Sequence, residues 1–85
     1  MGELAKLPNI GQEVERQLNL VGIFTEEDLK STGSREAWLK IQGIDESACI
    51  HRLMAPEGAI RGEKKAALPK DMKEALKDFY QRHKK

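Results

Sequence analysis

The run Leu7-Pro8-Asn9-Ile10-Gly11 constrains the fold of this chain more than any other feature. Pro8 restricts the backbone entering the run, Asn9 tolerates a left-handed conformation better than most residues, and Gly11 lets main chain approach a partner closely. A tight turn is therefore expected, opening directly into a helix. Such a helix start carries free N–H groups, which can hold an anion such as a phosphate.

Behind the turn, Val14, Leu18 and Val21 recur at i, i+4 and i+7, which predicts an amphipathic helix over 12–21 capped by Gly22. Thr25 reads as the N-cap of a short helix to about Lys30, with Glu26, Glu27 and Asp28 placing negative charge in its first turn. Ser34 opens a third helix whose Ala37, Trp38 and Ile41 face the core, with Leu39 at the edge and Gly43 at the end. Asp45 is expected to cap a fourth, with Cys49, Ile50, Leu53 and Met54 turned inward. Pro56 disfavours helix at Ala55, so this segment is expected to stop there or to continue with one bond missing. A loose turn over 57–62 would follow. The last helix is expected near Pro69, with Met72, Leu76, Phe79 and Tyr80 on one stripe. There is also an internal echo, since Gly11 to Gly22-Ile23 and Thr25 parallels Gly33 to Gly43-Ile44 and Asp45.

These elements predict an all-α, five-helix domain of helix-hairpin-helix-like type, occupying residues 1–85 as one unit. A chain of 85 residues has room for one core and little for a buried catalytic cavity. Charged residues make up 34% and aromatics 5%, which favours helices with charged outer faces over a sheet. No apolar run approaches the roughly 20 residues that cross a bilayer, and the opening residues lack a signal-peptide core. A cytoplasmic location without membrane contact is the expectation. The lone cysteine, Cys49, cannot form an internal disulfide.

The net charge of +1 conceals a division. Residues 1–63 carry seven Lys/Arg against eleven Asp/Glu, whereas residues 64–85 carry eight against three. Attraction to polyanions would therefore come from the C-terminal segment, beginning at Lys64 and Lys65. The hairpin presents a mixed picture, because Glu13 and Glu15 flank it and only Arg16 offsets them.

Catalytic signals are absent. His51 and His83 have no ligand-spaced partners, Cys49 reads as a core thiol, and neither a phosphate loop nor a nucleophile triad appears. No catalytic residue, cofactor or metal site is expected. Trp38 reads as core, with an anchor for a protein partner as its alternative role.

Taken together, Leu7-Pro8-Asn9-Ile10-Gly11, the Val21-Gly22-Ile23 step with Thr25 and Leu29, and Glu57-Gly58-Ala59-Ile60-Arg61-Gly62 resemble the C-terminal domain of TfoX/Sxy proteins. Those proteins are associated with regulation of natural competence in bacteria. The resemblance implies an all-helical fold related to helix-hairpin-helix domains, here as a freestanding module without the family's N-terminal domain. Two departures stand out. Pro56 replaces a helix-friendly leucine, and Glu63, Lys64 and Lys65 occupy a segment where similar sequences often carry an aromatic residue.

Two functions follow as expectations. The first is a non-enzymatic regulatory or adaptor module, acting in competence or DNA-related regulation by binding an unidentified regulatory protein in an apolar groove between helices. The second is weak, sequence-independent binding of double-stranded DNA through Asn9, Ile10, Gly11 and Gln12 of the hairpin together with Lys64 and Lys65. A monomer or weak homodimer is expected in either case.

Overall fold

The computed structural model describes residues 3–84. A 3-10 helix, Glu3–Lys6, leads into the hairpin, and five α-helices follow among the described residues: α1 Gln12–Leu20, α2 Glu26–Thr32, α3 Ser34–Ile44, α4 Ile50–Arg61 and α5 Lys70–His83. A second 3-10 helix, Lys65–Ala67, joins α4 to α5. The core gathers one stripe from each element: Leu4, Ile10, Val14, Leu18, Ile23, Leu29, Ala37, Trp38, Ile41, Leu53, Ala59, Leu68 and Leu76 are all buried. The helices pack around α3 and α4, with α5 closing the far side across both.

Local chemistry sets most boundaries. α1 ends in a Schellman motif: Gly22, at φ +89°, donates to Asn19 and Ile23 donates to Leu18. Thr25 and Asp28 form the reciprocal capping box that starts α2, with the Thr25 hydroxyl accepting from the Asp28 N–H at 3.0 Å. α2 runs on to Thr32, two residues past the expected end, and α3 continues through Gly43 to Ile44.

The fourth helix differs most from expectation. Asp45 does not cap it; its carboxylate accepts from Ser47 and from the side chain of Gln17, and α4 begins at Ile50. Cys49 therefore sits just outside the helix in extended conformation and is exposed, not a core thiol. Ala48 takes the buried place near it. At the other end α4 passes through Pro56, and the expected loose turn over 57–62 is its last turn, closed by Gly62 at φ +72°. Proline can supply no N–H to the carbonyl four residues back, but its ring is fully buried, so apolar contact offsets part of the cost of the missing bond. Pro69 is the N-cap of α5 and not its first helical residue.

The internal echo does not extend to packing. Ile23 is buried and follows a left-handed Gly22, whereas Ile44 is exposed and follows a Gly43 that lies inside α3. Helix punctuation alone accounts for the likeness.

Trp38 forms the centre of the core. Its ring is fully buried, its indole N–H donates to the Cys49 carbonyl at 3.3 Å, and Phe79 and Tyr80 of α5 meet it edge-on at 6.0 and 5.6 Å between centroids. A ring without exposed surface offers nothing to a protein partner, so the anchor alternative gives way to a structural role.

Candidate functional site

Two places on the surface combine unusual geometry with chemistry. The first is a cleft of about 440 Å³ where the starts of α3 and the ends of α2 and α4 meet α5. That volume falls within the range of ligand and peptide pockets. Leu39, Ile60 and Phe79 form its apolar floor, and all three are partly buried against the core. Lys30, Arg35, Glu36 and Glu57 contribute its charged walls.

The polar groups of the cleft are held in place. Ser34, almost wholly buried, donates its hydroxyl to Glu57 Oε1 at 2.6 Å, and Arg61 Nε donates to Oε2 of the same carboxylate at 2.8 Å. Burial pushes the Glu57 carboxyl up, but the Ser34 hydroxyl and the Arg61 guanidinium together outweigh it and hold the group below its ordinary value. Glu57 thus stays ionised and fixed, one turn from Arg61 on α4. The Arg35 guanidinium lies 5.9 Å from the Phe79 ring centroid, close enough for a cation–π contact at the cleft wall. Nothing here pairs a nucleophile with a base, and among the described residues no cluster of His, Cys, Asp and Glu could hold a metal ion.

The second place is the hairpin. Asn9 adopts φ +69°, the left-handed conformation expected of it. Its side chain reaches across the sequence: Nδ2 donates to the Glu63 carbonyl at 2.9 Å, with a longer contact to Ala55 O, and Oδ1 accepts from the Lys65 N–H at 2.9 Å. The turn is thereby clamped to the segment between α4 and α5. Gly58 makes this approach feasible, since a Cβ there would collide with Asn9 Nδ2 and lie 2.7 Å from the Glu63 carbonyl.

This clamp brings together the two halves of the site that sequence placed far apart. Gly11 and Gln12 are exposed at the start of α1, Lys64 is exposed, and Lys65 is half-buried with its ammonium 3.5 Å from His51 Nδ1. Ile10, by contrast, is buried and holds the turn through the core. The two flanking carboxylates are already engaged. Glu13 pairs with Arg16 at 2.6 Å, and buried Glu15 turns inward, accepting from the Ala5 N–H at 3.0 Å.

A third polar feature, missed from sequence, joins α1 to the α3–α4 link. Gln17, buried on α1, donates to Asp45 and accepts from Arg52 Nε at 2.8 Å. Hydrogen bonds from the Ser47 hydroxyl, the Gln17 amide and the Ser47 N–H, with the nearby Arg52 charge, hold the Asp45 carboxyl below its ordinary value. A glutamine in a polar-looking helix gives no sign of such burial.

The fold and these sites define a small helical domain with a clamped hairpin, a fixed surface cleft and, among the described residues, no catalytic constellation. The TfoX C-terminal domain family matches residues 1–80, and the chain belongs to that family. Membership in that family supports a regulatory or adaptor-type domain. Two crystal structures of Listeria monocytogenes proteins are closely similar. One, described as an uncharacterized protein in a triclinic form, is 42% identical with a TM-score of 0.93, covering 95% of this chain and 92% of that one. The other, described as a protein of unknown function in a tetragonal form, is 42% identical with a TM-score of 0.90, covering 92% of this chain and 96% of that one. No curated protein matches the chain. Among the described residues no helix is long and apolar enough to cross a membrane.

Proposed function

We propose that this domain is a non-enzymatic adaptor that acts in competence or DNA-related regulation by binding a segment of a regulatory protein in the cleft between α3, α4 and α5. The observation that carries this reading is the floor of Leu39, Ile60 and Phe79, an apolar surface left open between packed helices and walled by fixed charge. Apolar contact supplies affinity in such grooves, while charged walls set orientation and exclude wrong partners. A photo-crosslinking residue in place of exposed Arg35, expressed in the native host, tests it. A discrete protein adduct, lost when Leu39 is changed to Lys in a variant of unchanged melting temperature, supports the reading. Adducts that Leu39→Lys leaves in place count against it.

A second reading, weak binding of double-stranded DNA, is favoured by the Asn9 clamp, which sets Lys64 and Lys65 beside the exposed start of α1. Arg16 pairs with Glu13, and buried Glu15 keeps its charge but turns away from the exposed helix start, which lessens the expected repulsion. The two readings are compatible, because the cleft and the hairpin use different residues.

A further inference from the structure

The charges of α5 are sorted by face. At 100° per residue, Lys70, Lys73 and Lys77 fall within a sector of about 60°, whereas Asp71, Glu74 and Asp78 occupy a neighbouring sector. Met72, Leu76, Phe79 and Tyr80 take the inward side, packed on or within the core. Lys84, just past the helix, lies on the lysine side, its ammonium 5.9 Å from the Tyr80 ring.

The lysine sector continues into the hairpin region. Lys73 Nζ donates to the Ala66 carbonyl at 2.8 Å, which fixes the stripe beside the Lys65–Ala67 turn, and Lys65 is itself bonded to Asn9. Among the described residues none of Lys64, Lys65, Lys70, Lys73 and Lys77 forms an ion pair, whereas Arg16, Lys30, Arg61 and Arg82 each have a carboxylate partner. The ammonium groups of this face are thus free of carboxylate partners, and Asp71, Glu74 and Asp78 stand on the adjoining sector of α5.

We propose that Lys64, Lys65, Lys70, Lys73 and Lys77 form one continuous track for the phosphate backbone of duplex DNA. The proposal rests on the nucleic-acid reading and extends it from Lys64 and Lys65 to three lysines of α5 which that reading did not contain. Lys70 and Lys77 are about 10 Å apart along the helix axis, and a duplex carries a charge about every 1.7 Å, so each ammonium finds a phosphate without any demand on base sequence. A single strand fits less well. Sequence-tolerant single-strand binding uses exposed aromatic platforms, and here Trp38 is buried, Phe79 and Tyr80 are packed against it, and the exposed Phe24 lies on the α1–α2 link, not on the elements that carry these lysines.

Fluorescence anisotropy with a labelled 20-base-pair duplex, between 50 and 200 mM salt, tests the track. Lys70→Glu with Lys77→Glu alters two exposed side chains and should weaken binding at least tenfold at 50 mM salt. It should also flatten the slope of log affinity against log salt by about 2, at about 0.9 per phosphate contact. Lys40→Glu with Arg82→Glu makes the same change of net charge at exposed positions outside the track and the cleft and should weaken binding less than threefold. Circular dichroism confirms that both variants are folded. Equal losses in the two variants would overturn the track while leaving duplex binding standing. Absence of duplex binding by the unmodified domain at 50 mM salt, or preference for an acidic polypeptide of equal charge, would overturn the track and the nucleic-acid reading together.

Discussion

Replacing Asn9 is the most informative single perturbation of this fold, because one side chain both adopts a left-handed backbone and ties the hairpin to residues 54 and 56 positions away. Two bonds of 2.9 Å are lost in Asn9→Ala. At about 0.5–1.5 kcal/mol net each they account for about 1–3 kcal/mol. Alanine at φ +69° adds a left-handed penalty, about 1 kcal/mol beyond what asparagine bears. The expected destabilisation is therefore about 2–4 kcal/mol, a large share of the stability of a domain this small. Asn9→Gly removes the same bonds without the steric penalty, so it should fall about 1 kcal/mol short of the alanine variant. Urea denaturation followed by circular dichroism at 222 nm measures all three proteins. In thermal melts each kcal/mol should lower the midpoint by about 4–8 °C. An alanine variant within about 0.5 kcal/mol of the original protein would show that the clamp carries no weight and that the hairpin is held by Pro8, Ile10 and the core alone.

Trp38→Ala should cost about 3–5 kcal/mol, since it empties the centre of the core; unchanged melting with loss of partner capture would instead restore Trp38 as a contact residue. Pro56→Ala restores an N–H to α4 and removes a buried ring, and because an interior helical proline costs about 3 kcal/mol while the lost apolar contact amounts to about 1.6 kcal/mol, a gain of about 1 kcal/mol is expected by urea titration. A loss of similar size would show that the ring's packing dominates. Glu57 is held below its ordinary value of 4.5, so its ionised form stabilises the fold above that pH, and this contribution disappears as pH falls through the lower folded value. The gap in melting temperature between the original protein and Glu57→Gln should accordingly be widest above pH 4.5 and close below it, and a gap independent of pH would contradict the Ser34–Glu57–Arg61 arrangement.

Features decided by near neighbours were legible in the sequence. The left-handed Asn9, the Gly22 cap, the Thr25 N-cap and the inward stripes of α1, α3 and α5 each depend on residues within one or two turns. Those decided by distant contacts were not. Asp45 has the composition of an N-cap, but Gln17 from α1 and Ser47 compete for its carboxylate, which moves the start of α4 to Ile50 and leaves Cys49 outside. Pro56 has the local signature of a helix end, and burial of its ring lets the helix pass. The candidate sites follow the same division. Asn9, Gly11, Lys64 and Lys65 were identifiable by type, but only the fold shows that one asparagine joins them. The cleft drew on Lys30, Ser34, Glu57 and Phe79 from four different helices, a combination that no spacing announces.

The central claim, that a regulatory protein segment occupies the cleft, is tested most directly by crosslinking from position 35 in native-host extracts treated or untreated with nuclease. Direct protein contact predicts one discrete adduct that survives nuclease digestion and disappears in the folded Leu39→Lys variant. An adduct lost on nuclease treatment and indifferent to Leu39→Lys would mean that nucleic acid bridges the two proteins, and it would contradict the assignment of the cleft.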